Sequence, residues 1–136
     1  MHRIATIIAA VALLAGCSMK ADMDAGSKAI AAFHRDVDAG QYQKVWAESA
    51  TDMKGSTPAD RLAALLDAVH RKLGRFRSGS QVGFNDNVSG AGHTLSVTYE
   101  ARYEKGAATE QFVFRMDGNR ALLAGYHINS DALILG

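Results

Sequence analysis

The pattern of apolar and polar residues divides the chain into a helical first half and a strand-rich second half. Between residues 57 and 74, apolar residues recur at intervals of three and four, which is the period of a helix with one buried face. Between residues 93 and 104, apolar or aromatic residues alternate with polar ones, as in a strand with one face exposed to water. Helices followed by antiparallel strands predict an α+β fold.

Two or three helices are predicted in the first half. The first covers residues 27–40 and the second residues 41–53, although the single glycine between them leaves open one long bent helix. The third has the clearest boundaries, because Thr57 stands at its N-cap, Pro58 at its first position and Gly74 at its end. Such an amphipathic helix must bury its apolar face against a large surface.

About four strands are predicted in the second half, where alternating segments are separated by turn residues. Asp117-Gly118-Asn119 is a typical hairpin signal between the last two segments. The predicted architecture is therefore a set of N-terminal helices packed on an antiparallel meander. The four strands are expected at residues 81–88, 93–104, 109–116 and 120–129.

The chain begins with a short apolar segment that carries an export signal. Residues 4–14 are apolar or small and follow Arg3, but a bilayer-spanning helix needs about 20 such residues, so the segment is typical of a secretory leader. Leu14-Ala15-Gly16-Cys17 resembles the lipobox of bacterial lipoproteins. The resemblance implies a leader over residues 1–16 and a lipid anchor at Cys17, the only cysteine in the sequence, which has no disulfide partner.

Lipidation implies a location and a domain organisation. Several acyl chains hold a protein stably on a bilayer. Ser18 replaces the aspartate that lipoprotein sorting associates with the inner membrane, so the resemblance implies the periplasmic face of the outer membrane. A Gram-positive host would place the domain outside the plasma membrane. Residues 17–27 lack periodic apolar residues and are predicted to be a flexible, lipidated tether, which leaves residues 28–136 as one domain.

The charge balance argues against nucleic-acid binding. Of the 15 Lys and Arg residues, Arg3 falls in the leader, so 14 basic side chains remain against 14 acidic ones. A nucleic-acid binder needs a concentrated basic face. The one basic cluster, residues 71–77, is best explained as cations at a helix C-terminus, and contact with an anionic lipid or polyanion is the alternative.

Scattered histidines are the main candidates for chemistry, and none forms a recognised motif. His34 and Asp38 are predicted to be an exposed capping pair, and His70 a boundary residue of the third helix. His93 and His127 lie on strands without an orienting acid nearby in sequence, and a general base needs such a partner. Metal-binding, nucleophile and phosphate-loop motifs are absent from the sequence. No catalytic residue, metal ligand or cofactor is therefore predicted.

Three sequence features resemble a known superfamily. They are Trp46 in the second helix, Lys72-Leu73-Gly74-Arg75-Phe76 after the third, and Gly125-Tyr126-His127-Ile128 in the last strand. Together with the element order, they resemble the cone-shaped, cystatin-like fold of the nuclear transport factor 2-like and SnoaL-like superfamily, including small exported bacterial proteins of unknown function. The resemblance implies a curved sheet around the helices, often with a pocket, on a scaffold that serves enzymes, binding modules and dimers alike.

The function expected from these features is that of a non-enzymatic, lipid-anchored binding module facing the periplasm. Its partner would be an envelope protein or a small apolar ligand, and a homodimer through the sheet is left open. The alternatives are a small SnoaL-like hydrolase or isomerase with a pocket histidine, and an envelope immunity or inhibitor lipoprotein. Trp46, Tyr99, Tyr103 and Tyr126 are the candidate walls of a ligand pocket, unless these aromatic residues simply fill the core.

Overall fold

The computed structural model describes the backbone of residues 2–135 and the side chains of residues 18–135. Cys17 and the predicted leader lie outside the residues whose side chains are described, so the lipid anchor stays a prediction. Among the described residues, no helix is both long and apolar enough to cross a bilayer. The elements are α1 (His2–Asp38), α2 (Tyr42–Ala47), α3 (Thr51–Ser56), α4 (Ala59–Leu73), β1 (Phe76–Ser89), β2 (Gly92–Tyr103), β3 (Gly106–Asp117), β4 (Arg120–Asn129) and α5 (Asp131–Leu135).

The four strands form one open antiparallel sheet in the order β1-β2-β3-β4, each paired with its neighbour in sequence. The α+β prediction is therefore confirmed, and β4 has the predicted bounds. β1 begins at Phe76 rather than at residue 81, so it is longer than expected. Bulges between Gln81 and Gly83 and between Val113 and Phe114 shift the register, and bulges of this kind bend and twist a strand.

Four helices, rather than two or three, precede the sheet in the described part of the chain, because the predicted helix over residues 41–53 is interrupted. The backbone N–H of Ala50 donates to the carbonyl of Leu123 on β4, at 2.9 Å. The hydroxyl of Ser49 donates to the carbonyl of Val45 at 2.6 Å, at the end of the first piece. A hydrogen bond from the helix backbone to the sheet therefore divides the segment into α2 and α3. The period of apolar residues in the sequence does not predict this division.

The start of α4 differs by one position from the prediction. Pro58 has an extended backbone (ψ 150°) and occupies the N-cap, so the helix begins at Ala59 and Thr57 does not cap it. Gly74 has a φ of 79°, a left-handed conformation that suits glycine, and ends the helix as expected. The buried side of α4 carries Leu62, Leu66, Val69 and Leu73.

The predicted tether is the part of the chain that departs furthest from expectation. Instead of a flexible segment, residues 18–27 are a continuous part of α1. Met23 packs against the core, and Gly26 is buried where an added Cβ would lie 2.8 Å from Cδ2 of Leu95. Met23, Gly26 and Ile30 follow the helical period. Because glycine is not counted as an apolar residue, a hydropathy pattern does not predict this buried face of the helix.

The core lies between the helices and the inner face of the sheet, the face that α1 crosses in contact with all four strands. Leu95, Val97 and Phe112 on this face are almost completely buried. A smaller apolar cluster joins α4 to the ends of β2 and β3 and includes Ala132 and Leu133 of α5. Every polar side chain on the inner face must therefore find its partners inside this layer.

Candidate functional site

Glu110 is the most deeply buried ionisable residue in the described core. It belongs to β3, where the alternate residues Phe112, Phe114 and Met116 face the helices, and its side chain has 0% exposure. Burial of a carboxylate is very unfavourable unless hydrogen bonds compensate for the lost water. The position of Glu110 therefore requires donors from the surrounding core.

Three side chains from three elements supply these donors. The hydroxyl of Tyr103 on β2 donates to Oε2 of Glu110 at 2.9 Å, and that of Tyr126 on β4 donates to the same oxygen at 2.5 Å. Nε2 of His34 on α1 lies 2.8 Å from Oε1. We call these four residues, His34, Tyr103, Glu110 and Tyr126, the Glu110 cluster. It ties α1 to the three strands β2, β3 and β4.

The surroundings of His34 determine which ring nitrogen carries the proton. Its ring stacks on Phe76 with 3.7 Å between centroids, and Nδ1 is buried without a hydrogen-bond partner among the described residues. A proton on Nδ1 would be a buried donor without an acceptor, so the tautomer protonated on Nε2 is favoured. Glu110 then accepts three hydrogen bonds, one of them from the imidazole N–H of His34.

The two tyrosines act as donors over the whole physiological pH range. Burial, followed by the negative charge of Glu110, raises the pKa of Tyr103 and of Tyr126 well above the usual value near 10. Both phenols therefore keep their protons. A general base must reach the proton of a substrate, whereas the oxygens of Glu110 are occupied by three donors and have no exposed surface. This arrangement suits cohesion of the fold better than chemistry.

The sequence analysis did not predict this cluster, although the position of Glu110 in its strand pointed to it. Glu110 has the same alternation as Phe112 and Phe114, so a charged residue stands in an otherwise apolar face. The predicted exposed pair of His34 with Asp38 is wrong, because His34 is buried and bonds to Glu110. Asp38 accepts the backbone N–H of Phe76 at 3.3 Å and lies 3.6 Å from Nδ1 of His70.

The four predicted pocket residues are only partly brought together. Tyr103 and Tyr126 meet at Glu110, and the ring of Tyr99 lies close to His34, 5.6 Å between centroids. Trp46 is elsewhere: its indole N–H donates to the carbonyl of Thr57 at 2.8 Å. Two of the four residues thus belong to the Glu110 cluster, the third lies beside it, and the fourth stabilises the junction of α2, α3 and α4.

A second polar group, the His93 cluster, consists of Asp22 on α1, Asp86 on β1 and His93 on β2. Nε2 of His93 lies 2.7 Å from Oδ1 of Asp86 and 3.3 Å from Oδ2 of Asp22. All three side chains are half-buried at the edge of the sheet. His93, expected to lack an orienting acid, therefore has two, whereas His127 is exposed on the outer face, as alternation from Tyr126 predicts.

The outer face of the sheet carries a cleft of about 630 Å³, which we call the outer cleft. It lies where β1, β2 and β3 approach the end of β4. Glu100 and Arg102 stand side by side on β2 and make no ion pair with any described residue. The lining also contains a second acidic residue, Asp131. The rest is small or polar: Ser78, Gly79, Ser80, Ala101, Ala107, Ala108, Thr109, Asn129 and Ser130.

Comparison with known proteins identifies a family. Residues 29–126 match the family described as "Protein of unknown function (DUF4019)", whereas no curated protein matches the chain. The matched residues extend from α1 to β4 and contain the whole Glu110 cluster. Asp22 of the His93 cluster precedes the match. Because the match covers most of the sequence, the chain belongs to the DUF4019 family.

Proposed function

We propose that this chain is a lipid-anchored protein of the bacterial envelope that binds a protein partner through the outer cleft, without catalysing a reaction. The lipobox ending in Cys17 supports the anchor, and Ser18 supports the periplasmic face of the outer membrane. Helices held on the inner face of a bulged antiparallel sheet support the cone-shaped nuclear transport factor 2-like fold. That scaffold leaves the outer face of the sheet free for contacts.

The observation that carries this proposal is a pair of charges in the outer cleft that no described side chain neutralises. Glu100 and Arg102 present opposite charges next to each other, among hydroxyl and amide groups. A polypeptide segment offers complementary charges and backbone hydrogen-bonding groups, and such complementarity provides specificity in protein–protein recognition. The mixed polarity suits a protein segment better than an apolar molecule.

The described cavities argue against a small apolar ligand as the main partner. The Glu110 cluster and the aromatic rings around it occupy the interior between the helices and the sheet. A cavity between α1, α2 and β4, lined by Phe33, Val45 and Leu123, has a volume of about 150 Å³. Ligand pockets usually measure about 300–1,000 Å³, so this cavity is too small for most ligands.

Site-specific cross-linking in cells tests the proposal. A photo-reactive amino acid is placed at Ser80 or Thr109, which line the outer cleft, and at the exposed Gln43 or Ala64 on the helices as matched controls. We expect one discrete covalent adduct from the cleft positions and none from the controls. Equal adducts from both sets, or none from the cleft, would contradict the proposal.

The adduct also distinguishes the kinds of partner. A toxin or lytic enzyme would identify an immunity or inhibitor lipoprotein, and an adduct of twice the mass of the chain would identify a homodimer through the sheet. The anchor is tested separately by metabolic labelling with an alkyne fatty acid. Label should enter the wild-type chain and not the Cys17→Ser variant, and equal labelling of both would refute the lipidation.

A histidine-dependent hydrolase or isomerase is the second candidate, and one contact favours it. Asp86 lies 2.7 Å from His93 and would orient the imidazole as a general base. Neither His93 nor His127 lines the outer cleft or the cavity between α1, α2 and β4. Turnover of ester and isomerisable ketone substrates that disappears in His93→Gln but persists in His127→Gln would support the enzyme, and equal rates would exclude His93 as its base.

A further inference from the structure

The His93 cluster brings together three groups that bind metal ions. Asp22, Asp86 and His93 belong to three different elements, and their ligand atoms all lie within 4.8 Å of one another. The side chains retain 15%, 11% and 28% exposure, so water or a cation can reach them. Convergence from α1, β1 and β2 is a property of the folded chain and not of a local sequence motif.

The cluster holds more negative charge than its single imidazole can satisfy. Nε2 of His93 carries at most one proton, which Asp86 accepts at 2.7 Å, while Asp22 at 3.3 Å makes no hydrogen bond to it. No lysine or arginine in the described part of the chain forms an ion pair with either carboxylate.

The position of Asp86 is a second observation that points to a bound cation. It pairs with Leu95 across β1 and β2 and therefore lies on the inner face, in line with Phe84 and Val88, which are 51% and 76% exposed. Aspartate is unfavourable in strands, so strand formation does not explain this residue. Its carboxylate turns instead towards His93 and α1, where it faces a second carboxylate.

We propose that Asp22, Asp86 and His93 bind a divalent transition-metal cation of the Zn²⁺ class. One imidazole nitrogen and two carboxylate oxygens are ligands that zinc accepts. In a tetrahedral zinc site with bonds of about 2.0–2.1 Å, neighbouring ligand atoms lie about 3.3 Å apart. The 3.3 Å from Nε2 to Asp22 matches that spacing, whereas the 2.7 Å to Asp86 is a hydrogen bond, which an incoming cation would replace as the two atoms move apart. Three protein ligands leave a coordination position for water or a partner.

Such a cation would link α1 to the sheet. Asp22 stands near the beginning of the described side chains, four residues before Gly26 contacts Leu95. The bound metal would thereby fasten the segment that follows the predicted lipid anchor to β1 and β2. Metal binding would stabilise the folded chain by an amount that rises with the logarithm of the free metal concentration above the Kd, because the unfolded chain does not hold the three ligands together.

Isothermal titration with Zn²⁺ tests the site in the full chain, purified in detergent and freed of metal with a chelator. His2→Gln and Cys17→Ser are introduced throughout, so that neither residue binds the added metal. We expect one saturable site per chain. His93→Gln and Asp86→Asn should each weaken it at least tenfold, because even residues that merely orient metal ligands contribute about 10–100-fold to affinity.

Matched controls separate the site from general effects on the fold. His127→Gln and Asp24→Asn remove the same chemical groups from exposed positions, and both should bind Zn²⁺ as the parent does. Circular dichroism and the urea midpoint establish that each variant is folded. If a variant fails to fold, the visible spectrum of Co²⁺ bound to the parent still reports whether a nitrogen–oxygen site forms. Absence of saturable binding, or unchanged affinity in folded His93→Gln and Asp86→Asn, would overturn the proposal.

Discussion

The Glu110 cluster and the His93 cluster both pair a histidine with a carboxylate, but they differ in the balance of donors and acceptors. In the first, three donors surround one carboxylate that has no exposed surface. In the second, one imidazole stands between two carboxylates that water can reach. A saturated buried network rigidifies a core, whereas an unbalanced accessible one can still bind a cation. The first cluster is therefore suited to cohesion of the fold, and the second to the cation binding that we propose.

The difference also shows how a polar residue can be tolerated in a small core. Glu110 is acceptable because α1, β2 and β4 each contribute a donor, so that the burial of one charge holds four elements together. The His93 cluster joins α1, β1 and β2 more weakly, because repulsion between the carboxylates of Asp22 and Asp86 opposes the contact. Substitutions in the two clusters should consequently affect stability by different amounts.

The largest expected effect is that of Glu110→Ala, which leaves three buried donors without their acceptor. We expect the free energy of unfolding to fall by about 3–5 kcal/mol, as when one partner of a buried polar pair is removed. Urea denaturation followed by circular dichroism measures the loss. Glu100→Ala, an exposed glutamate on β2, is the matched control and should change stability by less than about 0.5 kcal/mol. Similar losses in both variants would mean that the cluster is not a stabilising network.

The next effect is a loss of stability above pH 10. Because the pKa values of Tyr103 and Tyr126 are raised in the folded state, the unfolded chain releases these protons first. The contribution of the phenols is complete below pH 10 and declines as the pH rises further, by about 1.4 kcal/mol per pH unit for each tyrosine. In the variant with Tyr103→Phe and Tyr126→Phe, the decline should be shallower between pH 10 and 11. An unchanged slope would show that burial and the charge of Glu110 do not raise the pKa values of the two phenols in the folded state.

A smaller effect is expected from Gly26→Leu, which tests the contact between the N-terminal part of α1 and the sheet. The new side chain collides with Leu95 and pushes the N-terminal part of α1 away from the sheet. We expect a loss of about 1–2 kcal/mol, since overpacking outweighs the gain in helix propensity. Affinity for Zn²⁺ should fall as well, because Asp22 leaves the site. Gly55→Leu, at a helical glycine with open space around it, should preserve both stability and zinc affinity. If residues 18–27 did not pack against the sheet, the two variants would behave alike.

The smallest effect is that of Asp22→Asn in the absence of metal. Removing one of two neighbouring carboxylates relieves repulsion, so stability at pH 7 should stay unchanged or rise by a few tenths of a kcal/mol. Added Zn²⁺ should raise the urea midpoint of the wild-type chain and have less effect on the variant. Asp24→Asn, two residues later on the exposed side of α1, should respond to zinc as the wild type does. A clear destabilisation by Asp22→Asn without metal would identify the cluster as an ordinary ion pair.

The sequence by itself determined the order of the elements, because local patterns specify them. The alternation over residues 93–104 and the hairpin residues around Gly118 place three of the four strands, and Gly74 marks the end of α4. The same patterns did not predict that residues 18–27 are helical and packed on the sheet, because the residue in contact is a glycine, which a hydropathy pattern does not count as apolar. They also missed the break between α2 and α3, which depends on a hydrogen bond from Ala50 to a residue 73 positions later.

Only the tertiary structure decided where the polar residues meet. Alternation could assign Glu110 to the inner face of β3, but not place His34, 76 residues earlier, opposite it. In the same way, no spacing in the sequence connects Asp22 with His93. A period tells which side of an element a residue occupies, whereas the packing of elements determines what faces that side. For that reason the order of helices and strands could be predicted from the sequence, and the two clusters could not.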